Sequence, residues 1–256
     1  MSSTSFNKIL LKDRAGFFVG YLSDNLAHRH YALQCSVSLQ EPLTLYGQNG
    51  LLLLTSGIAI KPMIEHRLVS RSPMLIILLN PASRTGHFFH HHFLSSDIDR
   101  LPEELTSLLQ SLGQQWFTGQ LPAEAFYLAY TQLIQSFVQT CLTASHHTDS
   151  RILDALDFLE ANADKVVPLA EAASHVFLSP ERFRHLFQAE TGITFRRLQL
   201  WNKLVQVFQT YSPAKSLTEL AHEHGFSDSA HLSRTFKETF GLSPTQLFNN
   251  SRFIQD

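Results

Sequence analysis

Apolar residues recur with two different periods along the chain, and each period predicts a different kind of element. Between residues 17 and 89, polar and turn-forming residues separate short apolar runs: FFVGYL, ALQCSVSL, LTLYG, GLLLLTSGIAI, HRLV and MLIILL. Short segments at this spacing are typical of an antiparallel sandwich or barrel. No glycine-rich phosphate-binding loop follows any of the runs, which argues against a nucleotide-binding fold.

From Ile98 onward the apolar residues recur every three to four positions, as on the buried face of a helix. The first stripe predicts a helix that ends near Gly113, and the second predicts a helix that begins after Pro122 and continues to Cys141. This hairpin either packs against the strands or joins two chains, and the sequence leaves both alternatives open. Residues 144–150 have no apolar period and are the predicted interdomain linker.

Residues 216–248 predict a complete helix-turn-helix unit followed by the start of a third helix. Ser216 and Glu219 form a capping box at the start of the first helix. Gly225 supplies the left-handed residue of the turn, and Ser227 or Asp228 caps the second helix. That helix carries apolar residues at every fourth position, Leu232, Phe236 and Phe240, and Gly241 ends it.

The same pattern occurs earlier in the chain and predicts a second unit. Leu169, Ala173 and Ser179 lie 48 residues before Leu217, Ala221 and Ser227, whereas Phe187 and Gly192 lie 49 residues before Phe236 and Gly241. Between the two copies, Thr194 caps a predicted helix that continues to about Tyr211, a length of about 25 Å. Successive major-groove faces of DNA recur about every 34 Å, so one chain could place both second helices in adjacent grooves.

Two helix-turn-helix units joined by one long helix resemble the DNA-binding domain of the AraC/XylS family of bacterial transcription regulators. The motifs that carry the resemblance are GFSD at 225–228, SRTFK at 233–237 and GLSP at 241–244. The preceding half resembles the cupin-like sensing domain of many members. Two positions depart from the family pattern: Phe177 replaces the glycine of the first turn, and Leu247 and Phe248 replace the usual Tyr-Arg ending.

The resemblance implies an α+β protein with two domains. Residues 1–148 would form a cupin-like β-barrel with a helical hairpin, for effector binding or dimerisation. Residues 149–256 would form an all-α tandem helix-turn-helix domain that binds DNA.

The predicted DNA-binding residues lie opposite the apolar stripe of each second helix. By resemblance, Glu181 and His185 stand where family members read bases, while arginines can donate to phosphates or guanine and Glu181 can accept from cytosine. The alternative for each residue is an ordinary solvated helix face. The full set is Glu181, Arg182, Arg184, His185, Ser229, Ala230, Ser233, Arg234 and Lys237.

Charge and composition limit how the chain can bind nucleic acid. The net charge is −2, and residues 151–256 hold eleven Lys plus Arg and twelve Asp plus Glu. We therefore expect weak non-specific DNA binding that depends on few contacts or on dimerisation. No signal peptide or membrane-length apolar run is visible, so a cytoplasmic location with reduced Cys35 and Cys141 is expected.

Histidines in the first half are candidates for a ligand site. His28 and His30 form an H-x-H pair followed by Gln34, and His66 follows Pro62, a pattern that resembles cupin metal ligands except that Gln34 replaces the carboxylate. The favoured interpretation is an effector pocket without metal or other cofactor. The alternatives are a divalent metal at His28, His30 and His66 or simple packing. A second cluster, His87 and 90–92, is expected to be a solvated or loop tract.

The leading hypothesis is an effector-responsive transcription regulator that acts as an activator. Its expected partners are double-stranded DNA and RNA polymerase and, in one alternative, a second copy of the chain. No membrane partner is expected. The rival hypothesis is a cupin-type metal-dependent enzyme with an appended DNA-binding module. Such an enzyme needs three or four ligands and an open coordination position. A third hypothesis is a constitutive DNA-binding protein with a structural barrel.

Overall fold

The computed structural model describes residues 7–12, 15–22, 26–47, 50–141, 149–162, 165–212, 214–240, 243–245 and 252–254. Within these ranges, the first half contains nine strands and three helices. In chain order they are β1 (Lys8–Lys12), β2 (Ala15–Gly20), β3 (Leu33–Ser38), β4 (Leu43–Gly47), β5 (Gly50–Thr55), β6 (Gly57–Ile60), β7 (Arg67–Val69), β8 (Met74–Leu79), α1 (Arg84–Phe93), β9 (Ile98–Arg100), α2 (Glu103–Thr118) and α3 (Ala123–Cys141).

The second half is helical apart from a short final strand. Its elements are α4 (Ser150–Ala161), α5 (Leu169–His175), α6 (Pro180–Thr191), α7 (Phe195–Thr210), α8 (Leu217–Glu223), α9 (Ser229–Phe240) and β10 (Arg252–Ile254). None of the described helices is long and apolar enough to cross a membrane.

Two sheets build the first half. The larger has the strand order β10-β1-β2-β8-β3-β6-β9, and the smaller has the order β5-β4-β7. Every apolar run of the sequence forms at least one strand, so the predicted sheet-rich fold is confirmed. The sequence pattern did not predict β1, β9 or β10. Because β10 pairs in parallel with β1, the end of the chain returns to the first sheet.

Alternating residues of β8 show how the larger sheet is covered on both faces. Leu75 and Ile77 are buried against the helical hairpin, whereas Met74 and Ile76 face the smaller sheet. Leu78, further along that second face, packs against the helical second half. Strand β8 is therefore covered by apolar groups on both faces, which explains why it reads as a continuous apolar run.

The hairpin of α2 and α3 packs on the larger sheet within the same chain. The ring of Phe17 meets Phe126 edge-on at 5.6 Å and Tyr130 at 4.8 Å, and Trp116 stacks on Phe126 at 4.4 Å. Such aromatic pairs add to the hydrophobic contribution of their burial. Of the two alternatives for the hairpin, packing against the strands is the one observed.

The predicted end of the first hairpin helix near Gly113 is wrong. The helix continues to Thr118 and ends at Gly119, which adopts the left-handed conformation with φ 81°. Gly113 instead faces the sheet, and a Cβ there would lie 2.8 Å from Leu39 Cδ2 and 3.2 Å from Leu75 Cβ. The glycine therefore allows a close approach of helix and sheet and does not end the helix.

The second histidine cluster was predicted to be a solvated or loop tract. His91 and His92 are exposed, but the cluster is helical and His87 is buried, so the loop alternative is wrong. His87 and residues 90–92 all lie in α1, which Ser83 caps by accepting a hydrogen bond from Gly86 N at 3.0 Å. Phe88 and Phe89 are buried on the same helix. The cap and the two phenylalanines favour a helix in spite of the polar tract.

The local signals of the second half are largely confirmed. Thr194 caps α7, and Ser216 and Glu219 form the capping box of α8. Asp228, the second of the two candidate caps, accepts from His231 N at 2.6 Å at the start of α9. Most of the predicted linker lies outside the described residues, as do Gly241, Leu247 and Phe248.

The first turn forms although its glycine is missing. Phe177 adopts φ 56°, and its counterpart Gly225 adopts φ 69°. The side chain of Phe177 is 96% exposed. The two turns therefore place a residue in the same left-handed conformation, a phenylalanine in the first turn and a glycine in the second.

The two halves share one apolar core. Ile9 and Ala32 are buried with Phe208, Phe236 and Phe240, which belong to α7 and α9. A small apolar cavity of about 40 Å³ remains at this boundary. The second helix-turn-helix unit is therefore seated directly on the larger sheet.

Candidate DNA interface and histidine cluster

Helix α6 presents its predicted DNA-binding residues to solvent. Phe183 and Phe187 are fully buried, which leaves Glu181, Arg184 and His185 exposed together with Arg182. Ser179 caps the helix and Gly192 ends it in the left-handed conformation. The orientation expected from the apolar stripe is the one observed.

Glu181 is the centre of a hydrogen-bonded group on this face. Its Oε1 accepts from Arg184 Nη2 at 2.7 Å and lies 2.8 Å from His185 Nε2. These contacts, led by the one from Arg184, hold the pKa of Glu181 below its usual value. The carboxylate therefore neutralises part of the positive charge that Arg184 would offer to a phosphate.

Helix α9 presents a less charged face. Ala230, Arg234 and Lys237 are exposed, while Ser229 and Ser233 are half-buried. The opposite side packs into the core through Leu232 and the phenylalanines described above. This face offers two cations and small polar groups, so it can supply fewer phosphate contacts and less base discrimination than α6.

Two cations of the linker helix α7 make contacts within the protein. Lys203 Nζ donates to the carbonyl oxygen of Gly225 at 3.3 Å and lies 5.8 Å from the ring centre of Phe226. Arg197 Nη1 donates to Glu238 Oε2 at 2.8 Å. The positive charge counted along this part of the sequence is therefore partly used inside the protein.

Arg197 also connects the linker helix, the second recognition helix and the first half. Its guanidinium lies 3.9 Å from the ring centre of Tyr31. Tyr31 N donates to the carbonyl oxygen of Glu238 at 2.9 Å. We call Tyr31, Arg197 and Glu238 the interdomain latch.

The structure brings the predicted histidines of the first half together. His28 and His66 form an isolated antiparallel bridge, with N···O distances of 3.0 and 2.9 Å. Their ring centres are 4.6 Å apart, and the ring of His30 lies 5.2 Å from His66 and 5.5 Å from His28. One ring nitrogen from each histidine lies within 4.8 Å of the others. We call these three residues the histidine cluster.

Gln34, the fourth predicted pocket residue, adjoins the cluster. Its Oε1 lies 2.8 Å from His30 Nε2, and its Nε2 donates to Ser36 Oγ at 2.9 Å. Burial lowers the pKa of His30 to about 4 and that of His66 to about 3. Both rings are therefore neutral at pH 7 and keep one nitrogen lone pair.

A separate cavity of about 400 Å³ lies where α3 approaches α1 and α4. Tyr130 and Thr131 line it from α3, Ser83 lies at the start of α1, and Glu160 belongs to α4. Within the described part of the chain, the hydroxyl of Tyr130 is buried without a hydrogen-bond partner. The cavity is distinct from the histidine cluster and has room for a small organic molecule.

Sequence reasoning missed both the cavity and the interdomain latch. Tyr31 follows the H-x-H pair directly, so its position next to the candidate ligand site could be predicted from the sequence. Its contacts with Arg197 and Glu238 join residues more than 160 positions apart. No local pattern could have indicated them.

Comparison with known proteins agrees with this arrangement. Residues 172–250 match a family model described as a helix-turn-helix domain. The arabinose operon regulatory protein of Salmonella typhimurium is 32% identical over 100 residues, which are 38% of this chain and 36% of that protein. The HTH-type transcriptional activator RhaS of Yersinia pestis is 31% identical over 120 residues, or 46% and 44% of the two chains.

One solved structure extends the likeness over the whole chain. Wild-type ToxT from Vibrio cholerae bound to an unsaturated fatty acid superposes with a TM-score of 0.52, covering 100% of both chains at 14% identity. This likeness concerns the fold alone. The matched segments span less than half of the curated relatives. Residues 172–250 therefore form a helix-turn-helix domain similar to those of these AraC-type regulators, and the fold of the whole chain is similar to that of ToxT.

Proposed function

We propose that the chain is a sequence-specific DNA-binding transcription regulator that reads DNA with α6 and α9. One observation carries the proposal: each of these helices buries an aromatic stripe and exposes the opposite face, and one helix joins the two units. At 16 residues, α7 is about 24 Å long. With side chains reaching outward, this length suits adjacent major grooves.

Some of the nine predicted residues would contact bases and the others would contact phosphates. Glu181 and His185 would face base edges, while Arg182 and Arg184 would donate to phosphate or guanine. On α9, Arg234 and Lys237 would hold the backbone, and small side chains would fit the groove. The small residues are Ser229, Ala230 and Ser233, and Ala230 offers a methyl group to thymine.

We further propose that the first half binds a small-molecule effector. The residues predicted for this pocket are His28, His30, Gln34 and His66, which lie together. The 400 Å³ cavity near Tyr130 is a second place where an organic molecule has room. Because one ToxT structure contains an unsaturated fatty acid, such an acid is the first organic compound to test there by thermal shift.

Activation through contact with RNA polymerase, a homodimeric state and the lack of an enzymatic activity belong to the same proposal. The curated relatives are named as regulators, and one is named as an activator. The rival hypothesis of a metal-dependent enzyme finds no support in those names.

Genomic footprinting with the full chain tests the DNA-binding proposal. We expect protected sites that share a sequence with two half-elements about one helical turn apart. The genes beside them would indicate the effector. Matched experiments with the double variant Arg184→Ala, Arg234→Ala should lose these sites. Protection that shows no common sequence, or that is unchanged in the double variant, would contradict the proposal.

A further inference from the structure

The histidine cluster has a buried ring nitrogen that the protein itself does not use. His66 is 1% exposed, and in the described part of the chain its Nε2 has no hydrogen-bond partner. A buried polar atom without a partner lowers the stability of the fold unless a ligand binds to it. We propose that His28, His30 and His66 bind a divalent transition metal, Zn²⁺ in the first place, and that this metal is the effector of the regulator.

The orientation of the three rings supports metal binding. Each Nδ1 lies close to a main-chain carbonyl oxygen: 2.9 Å from Leu26 for His28, 3.1 Å from Ala32 for His30 and 2.8 Å from Ile64 for His66. A carbonyl oxygen can only accept, so these contacts place the ring proton on Nδ1. Each Nε2 lone pair then faces away from the main chain. This is the arrangement by which protein groups orient histidine ligands of metals.

Gln34 can adapt to this arrangement. Without metal, its amide turned by half a turn can donate its NH₂ to His30 Nε2, and this contact must open before that nitrogen binds a metal. Once the metal is bound, the amide oxygen can become the fourth ligand. His28 is only half-buried, so solvent or a small anion can also reach the fourth position. Either choice gives the four-coordinate geometry that zinc prefers.

The chemistry of the cluster selects among metals. Three imidazoles, with no carboxylate in the group among the described residues, suit zinc, cobalt, nickel or copper and not magnesium or calcium. One ring nitrogen of each histidine lies within 4.8 Å of the others, whereas Zn–N distances of about 2.0 Å require about 3.3 Å between ligands. Binding therefore draws together any pair of rings whose nitrogens lie near the 4.8 Å limit.

That movement has a direct route to the DNA-binding half. His30 is bonded to Tyr31, whose main-chain N–H reaches Glu238 of α9 and whose ring contacts Arg197 of α7. Met63 N also donates to the carbonyl oxygen of His30 at 2.7 Å, so a hydrogen bond joins the two segments that carry the cluster at this point as well. A shift of His30 toward the metal therefore changes the interdomain latch. This regulatory part rests on the proposed function, whereas metal binding does not.

Metal binding is tested on the purified full chain without DNA. We expect one Co²⁺ per chain, with the visible absorption of a tetrahedral site, and its displacement by Zn²⁺. His28→Ala and His66→Gln should weaken binding by at least about 10-fold to 100-fold, as losing even a supporting residue does. His222→Ala removes an exposed histidine on α8 and should bind as wild type. The site is overturned if the wild type holds no stoichiometric metal or if both cluster variants bind metal as tightly as the wild type.

Regulation is tested by DNA affinity with and without saturating Zn²⁺, using a fragment recovered by footprinting. We expect at least about a 5-fold change for the wild type. Tyr31→Ala and Arg197→Gln should still bind Zn²⁺ while losing this change. Zinc binding without any effect on DNA affinity overturns the effector role. Failure to bind specific DNA in any condition contradicts the proposed function and leaves the metal titration to decide the site.

Discussion

At the scale of single residues, the most informative side chain is Glu181. It stands on the exposed face of α6, yet its partners are Arg184 and His185 of the same helix. Exposed ion pairs of this kind contribute little to stability, because solvent screens them. Their effect on binding is larger: the guanidinium must leave the carboxylate before it can meet a phosphate or guanine. The ion pair between Glu181 and Arg184 therefore favours DNA sites in which a base donates a hydrogen bond to Glu181 and so replaces Arg184 as its partner.

Arg184→Ala tests this role. We expect a loss of about 1 to 3 kcal/mol in specific DNA binding, because the guanidinium would donate directly to DNA. The melting temperature should change little, since the side chain is 52% exposed. Fluorescence anisotropy with a footprinted fragment and thermal melting measure the two quantities.

Arg71→Ala is the matched control, because Arg71 is exposed in the loop between β7 and β8, in the other half of the chain. It should bind DNA like the wild type. Equal losses in the two variants would mean that only net charge matters and that Arg184 makes no particular contact.

At the scale of elements, the two turns differ by one side chain. The left-handed conformation costs about 1 to 2 kcal/mol for residues other than glycine, and the exposed ring of Phe177 recovers none of it by burial. Phe177→Gly should therefore stabilise the first unit by about 0.5 to 1 kcal/mol after the greater chain entropy of glycine is counted. Urea unfolding of the full chain measures the change.

The reciprocal variant, Gly225→Ala, should destabilise the second unit by about 1 to 2 kcal/mol. A new Cβ at Gly225 would lie 3.2 Å from Lys203 Nζ, a flexible end that can move, so backbone strain should dominate. If Phe177→Gly lowers stability, the ring of Phe177 makes a contact that outweighs the strain.

Helix α9 depends on one buried ring. Phe236 is fully buried, with the rings of Phe208 and Phe240 at 4.9 and 5.0 Å. Phe236→Ala should cost about 3 to 5 kcal/mol of unfolding free energy through lost burial and the cavity left behind. The neighbouring Lys237→Ala should leave the melting temperature nearly unchanged, because that side chain is exposed. An unchanged melting temperature for Phe236→Ala would mean that the buried face of α9 is misassigned.

The sequence predicted elements whose signals are local. Strand runs, the caps at Thr194 and Ser216 and the buried stripes of α6 and α9 depend on neighbours within a few residues, and all were found as expected. Gly113 was misread because its role depends on how closely α2 approaches the sheet. The pairing of β10 with β1 and the contact of Tyr31 with Arg197 were not predicted, because they join distant parts of the chain.

In the candidate site too, the sequence predicted what depends on a local pattern and not what depends on packing. The resemblance to the cupin ligand pattern grouped His66 with His28 and His30, and the structure brings the three together. The resemblance could not indicate that His66 Nε2 is buried without a partner, since that depends on the packing around it. The helix that carries the second cluster was not predicted, because its polar residues outweighed the cap at Ser83 and the apolar pair beside it.

At the scale of the whole molecule, the DNA-binding half is not a separate body on a linker. Its second unit shares a core with the larger sheet, and its first unit packs around Ala82, which follows β8. Both units therefore depend on the first half for part of their buried surface. A ligand that moves the sheet or the interdomain latch would change the population of the arrangement that binds DNA.

Charge on the whole molecule sets the last prediction. The exposed cations on the two proposed faces are Arg182, Arg184, Arg234 and Lys237, whereas Arg197 and Lys203 are held by internal contacts. Four phosphate contacts give a slope of about −3.6 for log K against log salt concentration. Binding by one chain should therefore weaken by about 100-fold between 50 and 200 mM salt. Titrations at several salt concentrations, with the mass of the complex measured alongside, give the slope per chain.

The same titration with Arg182→Ala should lower the slope by about 1, because one phosphate contact is lost. A slope near −10 per chain would contradict this charge distribution, since the described faces do not hold enough cations for it. A slope near −7 with two chains per site would instead agree with it and would identify the dimer as the unit that binds. Because each chain makes few phosphate contacts, the affinity at physiological salt would then come from binding of a second chain and not from additional cations.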